Sequence, residues 1–536
     1  MPKINVRRWN GSLVTALDPE QTTPGDFSRM ENFIYDETGL PTVRGGRRKW
    51  VPDPTSPSSL DESGTPVTFH SIEFFKKGWV GQQPRSWIVA YAGTQIVKSE
   101  QDATWDQIHS GLEGNLTGSW ATLRGWLIFA SDSSSQRKPL YWDGISSAMK
   151  ELSGAPDCHL VATHDSRLFC VDKDEPSTLR YSAPFEPNNH EVASDAGFFS
   201  VNPGDGGVIS AVVPGFGELI VFKDSPGGGA TYRVQGGAPY NVVPLSRTIG
   251  AVGPNMAKLV GDRDIFFGSR RGLHSFRRTE QFGDLESEFL DFEFSNIWRG
   301  LPLFAKQRAT SIDDYPHDMW WVFYDTDNDR ANDEGLTINY RHQGPRGKPK
   351  ASWPLQYGVN SGVVYSDDRV GRQYLMTGGT DGYVYLEHMP EANDDGTDFS
   401  SKVNLAPIDA EEPMHLKRWG PFWLRYNNWG ETNATVTYYG DNRPPSSKDF
   451  SLNPMDAPVP FFDKTQGGEF RGIPVIRTQN VFQLREGGTE LNLEISLTKG
   501  RTTLRGFQLG FEMERRDVSA HRWMTFVKTS DAEIVG

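Results

Sequence analysis

Residues 167–182 read RLFCVDKDEPSTLRYS. A short apolar run, Arg167 to Val171, is followed by a turn rich in Asp, Glu, Pro and Ser, and then by a second run, Thr178 to Ser182. Both runs are too short for an ordinary helix, and the divider has turn chemistry, so the segment reads as a β-hairpin.

The same unit recurs on either side. Upstream lie Trp87 to Ala92 (WIVAYA) and Trp126 to Ala130 (WLIFA), the latter followed by Pro139 to Gly144 (PLYWDG). Downstream lie Glu218 to Phe222 (ELIVF), Asp264 to Phe267 (DIFF) with Gly272 to Phe276 (GLHSF), Met319 to Tyr324 (MWWVFY) and Gln373 to Thr377 (QYLMT). The last unit ends in a Gly-rich hairpin, Gly378 to Tyr385. Run starts are spaced by 39 to 55 residues, the length of a four-stranded propeller blade. One blade of short strands cannot bury both faces, whereas blades stacked around an axis bury each other and leave only short edges. The expectation is an all-β chain whose residues 67–392 form a β-propeller-like body of about seven blades.

Two flanking regions differ. Residues 1–66 read as an extended N-terminal arm and linker, with a Pro-, Ser- and Asp-rich stretch at 52–64. Residues 393–536 begin at the polar stretch Glu391 to Asp398, and their strands are longer: Phe422 to Tyr426, Ala434 to Tyr439, Leu491 to Leu497 and Leu504 to Glu512. Leu491, Leu493, Ile495 and Leu497 alternate with polar residues, which gives one buried and one wet face. A β-sandwich serving as an interface or platform domain is the expected solution.

The chain has 536 residues, 55 Gly, 35 Pro and a formal net charge of −14. That charge argues against gripping DNA through its phosphates and leaves room for a wall past which DNA slides. No apolar window reaches membrane-span length, and the start, MPKINVRRWNGSLV, lacks a signal-peptide core, so the expectation is a chain made and kept in a cytoplasm. Cys158 and Cys170 are too few for a disulfide scaffold and fit no zinc spacing; they read as buried free thiols on neighbouring strands.

Candidate chemistry is sparse. Asp325-Thr326-Asp327-Asn328-Asp329 alternates carboxylates as calcium loops do, but Arg330 stands where a turn glycine is needed and Leu336 where a bidentate Glu is needed. It reads as a solvated hairpin tip. Asp313, Asp314, Asp284 and Glu286 are among many carboxylates that could pair for glycoside hydrolysis, and nothing in sequence fixes a pair. Gly227, Gly228 and Gly229 lack the Lys-Ser/Thr of a phosphate loop and read as a flexible hairpin loop. Trp142 and Trp353 could stack on sugars, although core packing is the more ordinary use. Trp320 and Trp321 must face opposite sides of one strand, one toward a core and one toward an interface. The cluster Arg44, Arg47, Arg48 and Lys49 could meet DNA, an acidic partner or a neighbouring subunit. The expectation is therefore a non-enzymatic chain with no catalytic, cofactor-binding or metal residues.

An ordered set of segments carries a resemblance. The opening Asn10 to Lys49, NGSLVTALDPEQTTPGDFSRMENFIYDETGLPTVRGGRRK, is similar to the start of many phage virion proteins. Arg167 to Phe185, Asp205 to Lys223, and Asp262 to Phe276 with Glu280 to Glu286 resemble their blade motifs. Lys417 to Tyr426 and Phe507 to Glu514 resemble the paired strands of the sandwich that follows. The family they resemble is the tail nozzle, or tail tubular protein B, of short-tailed bacteriophages. The resemblance implies a structural virion protein assembled in the host cytoplasm. It implies a homo-hexameric ring beneath a head-to-tail adaptor protein, which carries tail fibres or spikes and provides the conduit for double-stranded DNA without reading its sequence. Two alternatives stay open: a carbohydrate-binding or carbohydrate-hydrolysing propeller, and a hub protein of a long tail.

Overall fold

The structure is a computed structural model. It describes residues 3–17, 21–50, 66–78, 84–100, 105–114, 117–261, 264–278, 285–367, 371–410, 415–429, 432–440, 444–452, 460–462, 470–472, 477–483 and 487–513. The Pro-, Ser- and Asp-rich stretch at 52–64 and most of Glu280 to Glu286 lie outside them.

The fold is all-β with a propeller body. Six blades are consecutive four-stranded antiparallel sheets. Blade 1 opens with Phe69–Lys77, blade 2 with Gly118–Leu123, blade 3 with Cys158–His164, blade 4 with Val208–Gly215, blade 5 with Ala257–Val260 and blade 6 with Thr310–Asp314. The anchor run of each blade is its second strand. Arg167–Asp172, Glu218–Asp224 and Met319–Tyr324 are buried along almost their whole length because a neighbouring blade covers each face.

Blade 7 is assembled differently. Ser361–Asp367, Arg372–Gly378 and Val384–Met389 supply three strands, and the fourth is Gly46–Lys49 from the N-terminal region, antiparallel to Val384–Met389. The first strand of blade 7 then meets the first strand of blade 1, and the wheel is closed.

The seams share a chemistry. Near the axis, hydroxyl groups of the first strands reach carbonyl or indole groups of a neighbouring blade. Ser119 Oγ donates to Val161 O at 3.1 Å, Ser210 Oγ to Ala251 O at 2.7 Å and Ser311 Oγ to Asn255 O at 2.7 Å. Thr310 Oγ1 donates to Asn360 O at 2.8 Å, Ser361 Oγ to Phe69 O at 3.0 Å, and Trp120 Nε1 to Ser71 Oγ at 2.9 Å. Between blades 3 and 4 the fully buried Lys223 takes this part, donating to Val201 O at 2.9 Å and pairing with Asp205 at 2.7 Å. Each such bond satisfies a polar group at a seam and contributes about 1 kcal/mol.

The second body is a two-sheet sandwich. One sheet has the order Phe33–Tyr35, Pro41–Val43, Arg501–Met513, Lys417–Trp429, Arg477–Gln483, and the other Phe27–Glu31, Ser400–Leu405, Leu491–Thr498, Thr432–Gly440, Ser446–Leu452. Leu491, Leu493, Ile495 and Leu497 all point into the core, as their alternation requires. The N-terminal arm is extended but does not stand apart. Its strands are shared between the sandwich and blade 7, and Lys3–Val6 pairs with Arg501–Met513. One hydrophobic cluster runs from the sandwich (Trp9, Phe27, Trp419, Leu493) into blades 5 and 6 (Met256, Trp298, Trp320, Leu336).

Candidate functional site

The seven first strands enclose an axial channel of about 470 Å³. Main-chain and small side chains make up most of its wall, because the strands converge there and leave little room. Three titratable groups break that pattern. Glu73 on the first strand of blade 1 and Lys258 on that of blade 5 face the lumen, and His70 lies one turn of the pleat from Ser71 on the same wall. Glu73 is partly buried and Lys258 is open to lumen water, yet both are ringed by protein. Burial pushes the Glu73 carboxyl up to about 7, against the opposing pull of Lys258. Burial also lowers Lys258, with Glu73 and then Asp313 acting the other way. His70, packed on the Tyr91 ring at 4.8 Å, is lowered to about 4 by burial. The channel thus holds a carboxyl that exchanges a proton near neutrality, opposite an amine and beside hydroxyl donors. That set can bind a small polar molecule and move a proton to or from it.

The residues singled out from sequence are distributed as follows. Asp313 accepts from Tyr340 Oη at 3.2 Å, and Asp314 is taken by two histidines. Asp284 and the side chain of Glu286 lie outside the described residues. Among the described residues lining the channel Glu73 is the single carboxylate, so the two-carboxylate arrangement of glycoside hydrolysis is not assembled there. Trp142 is buried against Trp87 at 5.1 Å, and Trp353 is half-buried, packed on the core with the Arg29 guanidinium 5.5 Å over its ring and its Nε1 donating to Tyr324 Oη at 2.7 Å and Glu334 at 2.8 Å. Trp320 and Trp321 do face opposite ways, but both are core. Trp320 meets Phe266 of blade 5, and Trp321 meets His388 of blade 7, because each face of a blade is a seam.

The Asp325–Asp329 segment is the hairpin tip between Met319–Tyr324 and Glu334–Gln343. Its three carboxylates lie within 4.8 Å of one another. Asp325 is not solvated, however. It is fully buried and accepts from the Asn328 and Arg330 amides at 2.6 and 3.0 Å and from Arg308 at 3.2 Å. Gly227 to Gly229 form the tight turn between Glu218–Asp224 and Ala230–Gln235, where Gly228 and Gly229 take positive φ and pack on backbone. Cys158 and Cys170 are free, buried and on adjacent strands.

The basic cluster has an intramolecular role. Arg44 is buried and forms a two-pronged pair with Asp394 at 2.9 and 2.6 Å, its guanidinium lying over Phe399 at 3.7 Å. Arg47 lies over Tyr385 at 4.3 Å, and Lys49 pairs with Asp395 at 3.0 Å. Only Arg48 of the four is exposed. Arg44, Arg47 and Lys49 are thus engaged in fastening blade 7, and Arg48 faces solvent.

Glu73 and Lys258 escaped the sequence reading, although each left a trace: one charge inside an otherwise apolar strand run, SIEFF and MAKLV.

No protein-family model matches the chain, and no curated protein matches it. Solved structures do. Virginiamycin B lyase from Staphylococcus aureus is 10% identical, with a TM-score of 0.38, over 60% of this chain and 100% of that one. The β-propeller domain of a Myceliophteria thermophila protein is 11% identical, with a TM-score of 0.38, over 60% of this chain and 100% of that one. A gluconolactonase from Xanthomonas campestris is 10% identical, with a TM-score of 0.30, over 61% of this chain and 98% of that one. These likenesses concern the fold. They also overturn the expectation of a non-enzymatic chain: two of the three are named as enzymes, so a wheel of this kind is no ground for excluding catalysis. Among the described residues no helix is long and apolar enough to cross a membrane. What the residues establish is an all-β propeller fused to a sandwich through both ends of the chain.

Proposed function

We propose that the chain is a structural subunit of a bacteriophage tail, built into a closed ring that forms a nozzle for DNA. One observation carries this reading. Exposed apolar side chains are concentrated in the last connection and outer strand of blade 3, where Phe185, Val192 and Phe198 are 60%, 73% and 59% exposed within a span of 14 residues. Such a concentration on an otherwise closed wheel marks a contact surface. A second copy of the chain is the partner assigned here, because a heterologous contact repeated by rotation closes a ring. The single core running from sandwich to propeller supports the reading, since a conduit wall needs subunits that do not hinge. The net charge of −14 suits a lumen that DNA must not adhere to. A hexamer, an adaptor above and fibres or spikes at the side complete the proposal.

The test is light scattering and electron microscopy of purified protein, with mass spectrometry of virions. A ring with an open axis, lost in a folded Phe198→Ser variant, is the expected result. A monomer at high concentration that is absent from virions overturns it.

A second reading rests on Glu73 and Lys258. In it the channel binds or turns over a small polar molecule. Calorimetric screening of small sugars and hydroxy acids, repeated with Glu73→Gln, decides it: binding that the variant abolishes supports the reading, and equal binding by both removes it.

A further inference from the structure

Asp314 ends the first strand of blade 6, His317 closes the short turn Tyr315–His317 that leads to the second, and His388 stands on the third strand of blade 7, Val384–Met389. Three segments from two blades therefore converge on one point. The Asp314 carboxylate is fully buried, with Oδ1 facing His317 Nδ1 at 2.9 Å and Oδ2 facing His388 Nε2 at 2.7 Å. The two rings lie 3.9 Å apart, and one ligand atom from each residue falls within 4.8 Å of the others.

The backbone is bent to produce this. His388 has φ of +60°, a conformation that non-glycine side chains rarely adopt. The pairing of its strand with Gly46–Lys49 shifts register between Leu386 and Met389, which turns His388 out of the regular alternation. Gly45 lies against this bulge, where a Cβ would come within 2.8 Å of the His388 backbone. Trp321 stands edge-on to His388 at 5.4 Å and walls one side, while the His317 side chain is 33% exposed and leaves the other side open.

We propose that Asp314, His317 and His388 form a binding site for a divalent transition-metal ion, zinc in the first instance, that ties blade 6 to blade 7. Two imidazole nitrogens and one carboxylate oxygen suit zinc, cobalt, nickel or copper, and do not suit calcium or magnesium, which take oxygen ligands. Without an ion, the two imidazoles donate to the carboxylate. On binding, each neutral ring carries its proton on the other nitrogen, exchanged through solvent, and offers His317 Nδ1 and His388 Nε2 as lone pairs. Metal–ligand bonds of about 2 Å set neighbouring ligand atoms about 3.3 Å apart, so the oxygen–nitrogen pair that supplies the bound oxygen widens by a few tenths of an ångström, while the remaining separations, now within 4.8 Å, close. Water from the open His317 side fills the fourth position. Asp325, Asp327 and Asp329 do not compete as a site, because Asp325 is already held by amides and Arg308.

The experiment uses the full, tag-free chain, with zinc and then cobalt chloride added. Expected are one zinc per chain by calorimetry, a rise in Tm of a few degrees, and the intense visible bands of tetrahedral cobalt. His317→Ala, on the exposed side, and Asp314→Asn, of nearly equal shape, each weaken zinc at least about tenfold and erase the cobalt bands. If either variant fails to fold, His317→Gln serves in its place. Wild-type protein that binds no zinc, or that binds it as tightly as His317→Ala does, overturns the site.

Discussion

Blade 3 and blade 7 use the same strand chemistry and are closed in opposite ways. Blade 3 is local: Cys158–His164 to Gly197–Ser200 are consecutive, the longest connection being residues 182–196, and its pairings need only neighbours in sequence. Blade 7 waits for Gly46–Lys49, which lies more than 300 residues away along the chain from its partner strand. A local blade needs little beyond alternating strands and turns. A blade closed from afar must overcome loop-closure entropy, and it does so with charge. Arg44, Arg47 and Lys49 meet Asp394 and Asp395 and lie over aromatic rings, where the outer strand of blade 3 has Arg180 over Phe198 at 5.5 Å.

The largest expected effect follows from removing the clasp. Arg44→Ala leaves Asp394 with only Arg47 at 3.7 Å and opens a gap under Phe399. Breaking a buried pair in this way costs about 3–5 kcal/mol, read as a lower urea midpoint. Arg137→Ala, which cuts the exposed pairs to Asp157 and Asp174 at the edges of blades 2 and 3, should leave the midpoint unchanged. Equal effects would mean that blade 7 needs no special closure.

Next is Gly46→Ala. A Cβ there would lie 1.9 Å from Asn393 O and 2.5 Å from Glu391 O, so the strand must back away from its partner. A loss of about 1–3 kcal/mol is expected, against no change for Gly237→Ala, which meets open space. Without a difference between the two, the clasp strand is looser than its contacts imply.

These residues also show what could be read in advance. The runs around Phe169, Phe222 and Trp321 announced their blades because strand and turn signals are local, and Leu491 to Leu497 announced the sandwich by period. Gly46–Lys49 did not announce a strand. Its arginines read as a basic patch because pairing with Asp394 is visible only once the wheel is closed. Glu73 and Lys258 are separated by 185 positions, and His317 and His388 by 71, so only the closed wheel brings each pair together. Composition could not reveal either constellation.

The channel provides a pH test of the local part of the wheel. Glu73 has an ordinary value of 4.5 and is raised to about 7 by burial. Below about pH 4.5 the carboxyl is protonated in both folded and unfolded chains and costs nothing. Between about pH 4.5 and 7 the folded chain holds a proton the unfolded chain has released, so stability falls and levels off once the folded carboxyl has also ionised. The full shift corresponds to about 3 kcal/mol as an upper bound, and water in the lumen brings the expected change to about 1–2 kcal/mol. Glu73→Gln should therefore flatten the decline in Tm between pH 5 and pH 8. An unchanged decline would place the responsible group elsewhere.

The smallest effect separates the two kinds of seam most directly. Ser361→Ala deletes the hydroxyl bond to Phe69 O, Ser210→Ala the bond to Ala251 O together with a longer one to Phe222 O at 3.3 Å, and each costs about 1 kcal/mol at equilibrium. Ser361 reaches Phe69 across 292 positions, whereas Ser210 reaches Ala251 across 41. Contacts of low sequence separation form early, so Ser210→Ala should mainly slow folding. The closing seam forms late, so Ser361→Ala should leave the folding rate nearly untouched and speed unfolding. Stopped-flow chevrons of both variants measure this. If Ser361→Ala slowed folding as much as Ser210→Ala, the first and last blades would already be joined in the transition state, and the charged clasp would act as a guide for closure rather than as its lock.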